Sequence, residues 1–309
     1  MQKPNEKLKA NVLLFLVVLF WGMTFPLQKI ILADGVSPVF YNFIRFIIAT
    51  SIIGIFGIKQ IRKTTWNDLL KGLILGAFLA SAYVFQTWGL VYTSSSKSAF
   101  ITALYVTFVA LLSPIIEKRM PTVMQIMAFG ISLFGLYLLT TPNVSSFNFG
   151  DMLTLLCAIM FALHVVFISV FTENSNNNEI GLLFPQLLTV AIANLILVPF
   201  IPGKIILNIP IVAVALFTAL VASIFAVAVQ LRYQKHLGSI SASLIYVGEP
   251  AFALLFAVII LGESVGLMKG MGLGIMLTGV AFGSVSSALK LRRNNRSEKN
   301  EITNTSNRR

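Results

Sequence analysis

Long apolar blocks alternate with short polar turns along this chain. The blocks fall near residues 12–32, 38–58, 68–91, 97–117, 122–141, 150–171, 180–200, 209–231, 239–261 and 267–288. Each approaches the ~20 mostly apolar residues that an α-helix needs to cross a bilayer. The pattern therefore predicts an all-α integral membrane protein with ten transmembrane helices. The first block is too long, and too continuous with the next stretch of chain, for a cleaved signal peptide. The connections, among them "YTSSSKS", "PNVSSFNFG", "TENSNNNE" and "RYQKHLG", are turn-rich and too short to fold into a soluble domain.

A weak repeat runs through the blocks. "GISLFG" from Gly130 returns as "GIMLTG" from Gly274, and the same offset pairs Gln86 with Gln230, Ser95 with Ser239, Ile101 with Ile245 and Phe108 with Phe252. At a slightly shorter offset, "NVLLFLVVLFW" from Asn11 aligns with "DMLTLLCAIMF" from Asp151. The repeat divides the chain into a short segment 1–11, a first unit 12–141, a second unit 150–288 and a basic tail 289–309. Each unit holds five predicted spans, an odd number, so the copies are expected to insert in opposite orientations. Inverted repeats of this kind build many secondary transporters, with the binding site at the repeat interface near the midplane.

Composition supports the membrane reading. Hydrophobic residues make up 57% of the chain, mean hydropathy is +0.86, and only 11% of residues are charged, against about a quarter in a soluble domain. The net charge of +12 raises nucleic acid as a partner, but the distribution of charge points elsewhere. With the N-terminus inside, all of the 23 Lys and Arg except Lys29, Arg45, Lys97, Lys204 and Lys269 fall on the cytoplasmic side. That is the positive-inside asymmetry. It predicts a multi-pass protein of the cell membrane with both termini cytoplasmic, basic segments facing anionic lipid head groups, and no nucleic-acid partner. The tail "KLRRNNRSEKNEITNTSNRR" has the composition of a disordered segment.

Enzymatic chemistry finds little material. Cys157 is the only cysteine, which excludes an intramolecular disulfide and a cysteine metal cluster. His164 and His236 are the only histidines and lie in different blocks, and there is no HExxH, P-loop or GxSxG motif. No catalytic residue, metal or cofactor is expected.

The informative residues are the polar ones inside the apolar blocks. In "SLIYVGEPAFALLFAVIILGE", Glu249 lies about 15 Å into the ninth block, counting 1.5 Å per residue from Ser239. A charge there costs on the order of 3 kcal/mol, and Pro250 disfavours helical geometry at Glu249 itself. Three roles fit: a buried acid that stays protonated, a cap for the broken helix, or a site for proton coupling or a substrate amine. Arg45 is the second internal charge. Its guanidinium cannot be deprotonated and must face water, an acid, carbonyls or a substrate carboxylate; pairing, snorkelling or anchoring a substrate would each satisfy it. Its repeat counterpart is Gln186. Polar stripes at helical spacing accompany these charges: Trp21, Thr24 and Gln28; Tyr83 and Gln86; Thr102 and Tyr105; Tyr246 beside Glu249; and single contributions from His164 and Gln230. Singly, such residues suit hydrogen bonds between helices; together they suit a cavity for an amphipathic solute, with apolar walls drawn from the 25 Phe residues. The spacings Gly72/Gly76, Gly270/Gly274 and Gly279/Gly283 favour close helix approach within one chain, or a weak homodimer through the last helix. Pro26 and Pro114 are candidate bends.

"LFWGMTFPLQKII" in the first block, "FIRFIIA" around Arg45, "GDMLTLLCAIMFA" from Gly150 and "GEP…LGE" ending at Glu263 stand in an order that resembles the drug/metabolite transporter superfamily, EamA type. The likeness covers about residues 11–288. Two positions depart from repeat symmetry: Tyr105 stands opposite Glu249, and Arg119 opposite Glu263. The resemblance implies ten helices around a central cavity, alternating access, and movement of small metabolites such as amino acids or drugs, commonly outward. The sequence thus reads as a secondary transporter of a small amphipathic metabolite, with Glu249 as a candidate for proton coupling. A membrane-embedded enzyme and a non-transporting sensor or scaffold are the alternatives.

Overall fold

A computed structural model describes residues 4–140, 147–173 and 178–283. The basic tail, with its expected disorder, lies outside the described residues. The described residues form no β-strand. Among the described residues, eight helical stretches are long and apolar enough to cross a membrane: Glu6–Ala33, Pro38–Phe56, Trp66–Tyr92, Ser95–Ile116, Phe149–Thr172, Glu179–Leu197, Ile209–His236 and Ser239–Leu261. The fifth and tenth apolar blocks form shorter helices, Val123–Leu138 and Leu267–Gly283.

In chain order the helices are α1 (Pro4–Ala33), α2 (Pro38–Phe56), α3 (Ile58–Ile61), α4 (Trp66–Tyr92), α5 (Ser95–Ala103), α6 (Tyr105–Ile116), α7 (Val123–Thr140), α8 (Phe149–Thr172), α9 (Glu179–Leu197), α10 (Ile209–Thr218), α11 (Ala226–Tyr233), α12 (Ser239–Tyr246), α13 (Glu249–Leu261) and α14 (Leu267–Gly283). A π-helical segment, Ala219–Phe225, joins α10 to α11. The turn-rich connections supply caps for the amides that helix starts leave unpaired. Thr65, Ser94, Asn178 and Asn208 each accept from a first-turn amide, and Asn148 with Asp151 closes a capping box at the start of α8. Pro26 and Pro114 lie inside α1 and α6, which continue through them.

The two halves of the chain do not form separate cores. Helix α4 packs on α8 and α9, α2 on α9, α1 on α13 and α6 on α8. Small residues permit these approaches. A Cβ at Gly22 would strike Phe252 and the backbone of Ala253, which fixes α1 against α13. Gly72 and Gly76 seat α4 on Pro185 and Thr189 of α9. Of the two glycine pairs in α14, Gly279 and Gly283 meet Ser132 and Ala128 of α7, whereas Gly270 and Gly274 face open space. The expectation of packing within the chain is therefore corrected for Gly270 and Gly274, which sit on the outer side of α14.

Candidate functional site

The helices enclose a central cavity, with about 470 Å³ of empty space including its open part. Nine of the polar residues singled out in the sequence line it: Trp21, Thr24, Arg45, Tyr83, Gln86, Tyr105, His164, Gln230 and Glu249. Leu79, Phe161, Val165 and Val227 supply its apolar wall. The remaining four stand behind the wall, each against a neighbour in or beside it. Gln186 Oε1 lies 3.0 Å from His164 Nε2. Thr102 Oγ1 accepts from Gln86 Nε2 at 3.5 Å, and Tyr246 OH accepts from Gln230 Nε2 at 3.4 Å. Gln28 Oε1 accepts from Thr87, 3.5 Å away.

Two broken helices deliver the central groups. The chain turns at Val247–Gly248, so Glu249 is the first residue of α13 and Pro250 occupies a first-turn position, where its missing N–H costs nothing. The same break occurs in the first half. Helix α5 ends at Ala103 and α6 begins at Tyr105, the residue that the repeat sets opposite Glu249. Backbone turns satisfy the groups freed beside Glu249: Gly248 N–H donates to Ile245 O and Ala251 N–H to Gly248 O. Among the described residues, no hydrogen bond or ion pair reaches the Glu249 carboxylate. Its side chain therefore does not cap the break, and it is 5% exposed against the cavity.

Arg45 is 1% exposed, which rules out snorkelling. Its guanidinium lies 4.7 Å from the centre of the Tyr83 ring and 5.0 Å from that of Phe46, a stacking position. Nε donates to Ser223 Oγ at 2.9 Å and Nη2 to Tyr83 OH at 3.4 Å. Among the described residues, neither Nη1 nor the Tyr105 hydroxyl, both buried, has a hydrogen-bond partner. No acid among the described residues pairs with Arg45. Among the described residues, the cavity thus holds a cation without an acid partner and an acidic side chain without a hydrogen-bond partner, and the two do not bridge to each other. Unmatched buried charge is costly in a structure, and a solute of matching charge would relieve it.

Ring contacts continue around the wall. Trp21 meets Tyr246, Tyr246 meets Tyr105, Tyr105 meets Phe161 and Phe161 meets Tyr83, with centroids 5.4 to 6.3 Å apart. Sequence reading missed the π-helical segment behind them. A π turn displaces backbone groups from the regular ladder, and here Ala222 O accepts from Trp21 Nε1 at 3.2 Å while Ser223 holds Arg45. The stretch "ALVASIF" carries no Pro or Gly that could have announced it.

Polar ties join the two broken helices near both of their ends. Ser96 Oγ, near the start of α5, donates to Glu263 beyond α13 at 2.8 Å. Ser113 near the end of α6 shares a 2.8 Å hydrogen bond with Ser239 at the start of α12. Lys97 pairs with the fully buried Asp151 at 2.7 Å, and Arg119 pairs with Glu173.

The profile of the EamA-like transporter family matches this chain over residues 8–141 and again over 148–285. An uncharacterized transporter of Archaeoglobus fulgidus is 31% identical over 280 residues, covering 91% of this chain and 87% of its own length. A second from the same organism is 25% identical over 88% of this chain and 98% of its own length. A solved structure titled only as the crystal structure of a protein superposes with a TM-score of 0.68, covering 91% of this chain and 98% of its own at 16% identity. That likeness concerns the fold alone.

Proposed function

Because the chain belongs to the EamA-like transporter family, and so is a multi-pass membrane transporter, we propose that it carries a small amphipathic metabolite through the central cavity. The observation that carries this reading is a guanidinium without an acid partner and an acid without a hydrogen-bond partner, held apart in one buried space. Arg45, with its free Nη1, suits a carboxylate; Glu249 suits an ammonium group or a proton; Leu79, Phe161, Val165 and Val227 suit an apolar side chain. An amino acid or a related compound has all three parts, and an amphipathic drug cation would use Glu249 and the rings.

The proposed mechanism is alternating access. It rests on the paired breaks before Tyr105 and Glu249 and on the polar ties near both ends of the broken helices, which can open one at a time. In this proposal α7 and α14 complete ten spans in two inverted five-helix units, with both termini cytoplasmic. The protein sits in the cell membrane and moves its solute outward, with Glu249 as the proton-coupling group. Counterflow of radiolabelled neutral L-amino acids, their decarboxylated amines and cationic drugs into proteoliposomes tests the reading. Exchange of zwitterions in preference to amines supports it. An absence of solute flux from well-folded protein would favour a sensor or scaffold instead.

A further inference from the structure

The elbow between α2 and α4 has a chemistry that the central cavity does not use. Arg62 N–H donates to Ile58 O and Lys63 N–H to Gln60 O, so the helical turn continues past α3. Lys59, Arg62 and Lys63 therefore lie at i, i+3 and i+4 and share one face. All three are exposed, and none has an ion-pair or hydrogen-bond partner for its side chain among the described residues. The nearest acid in sequence, Asp68, is 7% exposed and is held by the hydroxyl of Thr65 at 2.9 Å. Several other cations are engaged: Arg119 with Glu173, Arg232 with Glu179, Lys97 with Asp151, and Lys29 on the carbonyls that end α4. On both sides of the basic face stand large apolar side chains in the open, Phe56 at 82% and Trp66 at 70% exposure. Tryptophan is favoured at the level of lipid head groups, where its apolar ring and N–H are both accommodated. The corresponding elbow of the second half, between α9 and α10, bears only Lys204, whose Nζ donates to Asp34 O at 3.2 Å.

We propose that the α2–α4 elbow is a binding site for an anionic phospholipid, whose phosphate is held by Lys59, Arg62 and Lys63 while Trp66 and Phe56 lie against its acyl chains. Three neighbouring cations repel one another until an anion joins them, and a phosphodiester brings the charge that is missing. The flanking apolar side chains select a lipid over free phosphate, which offers them no contact. A second copy of this chain would bring its own basic elbow and the same charge. The site is independent of the solute reading.

Trp66 itself is the reporter. Full-length protein is placed in phosphatidylcholine vesicles, and brominated phosphatidylglycerol or brominated phosphatidylcholine is titrated in; the emission of Trp66 is the difference between wild type and Trp66→Phe. Brominated phosphatidylglycerol is expected to quench half of that emission at a mole fraction about tenfold lower than brominated phosphatidylcholine. In the triple variant Lys59→Gln, Arg62→Gln, Lys63→Gln the two curves should coincide, while Lys59→Arg with Lys63→Arg should keep them apart. Equal quenching by both lipids in wild type, or a gap that persists in the triple variant, overturns the proposal. Protection from both lipids that disappears as the protein is diluted would place a second copy on the elbow, and overturns it too.

Discussion

If Arg45 holds the carboxylate of the solute, its loss must cost affinity far more than folding. The guanidinium now makes one good hydrogen bond, to Ser223, and a long one to Tyr83, and its Nη1 makes none. A solute carboxylate would add charge-assisted bonds, so removing the fork in Arg45→Gln costs about 3 kcal/mol of binding, or about a hundredfold in apparent affinity. Arg45→Lys keeps the charge but loses the planar fork and the stacking on Tyr83, and a loss of about tenfold is expected. Folding should tolerate both, because Ser223 Oγ keeps its own bond to Thr218 O at 3.3 Å. The assay is counterflow in proteoliposomes, comparing a zwitterion with the amine that lacks its carboxylate. Wild type should prefer the zwitterion, and Arg45→Gln should lose that preference. A preference unchanged in Arg45→Gln refutes the reasoning. So does low recovery of both variants when the recovered protein transports normally, which would make Arg45 a structural residue.

Glu249→Gln should still exchange solute but lose its response to an imposed pH gradient; equal gradient-driven uptake by wild type and variant would remove Glu249 from coupling. Leucine at Gly22 should lower stability in detergent by about 1–3 kcal/mol or more through overpacking against Phe252, whereas leucine at Gly270 or Gly274 should leave the melting temperature nearly unchanged. Residues Ser146 and Ser175, in the loops that the sequence sets on opposite sides, lie outside the described residues, but Met120 and Leu207 are well exposed. In a Cys157→Ser background, cysteine at Leu207 should label from outside and cysteine at Met120 from inside; labelling from one side would sink the inverted topology. Burial pushes the Glu117 carboxyl above its ordinary value, with Ser239 and Arg119 pulling it back. A raised folded pKa contributes stability at low pH that is lost as pH rises through it, so thermal stability should fall as pH rises above the ordinary Glu value of about 4.3, less steeply in Glu117→Gln.

Hydrophobicity reports a helix only in proportion to its length, and this explains what was legible. The eight longer spans match the blocks closely, because a bilayer leaves an apolar run of that length no other way to satisfy its backbone. The blocks at 122–141 and 267–288 read as full spans, yet α7 and α14 have shorter apolar stretches of described helix. The cavity was legible for a different reason. A polar side chain in an apolar block must find a partner or a cavity, so Arg45, Glu249 and the stripes around them could be read as candidates. Which residues face the open space and which stand behind them depends on helix rotation. Spacing within one helix does not report that, so Gln28, Thr102, Gln186 and Tyr246 could not be separated from the lining residues.

The breaks separate what composition can announce from what it cannot. Pro250 marks the start of α13, since proline fits the first turn of a helix and disfavours the turn before it. The matching break at Leu104 has no proline, and only the repeat, which sets Tyr105 opposite Glu249, points to it. The π-helical segment has neither signal. It widens the turn through Ala219–Phe225, so that Ser223 and the carbonyl of Ala222 both reach across to the first half of the chain. An extra residue in a helix leaves no trace in hydropathy, because it shifts the faces of the helix without changing how apolar they are. Yet it decides the site. Ser223 accepts from Nε of Arg45 and Tyr83 from Nη2, and Nη1 keeps no partner among the described residues.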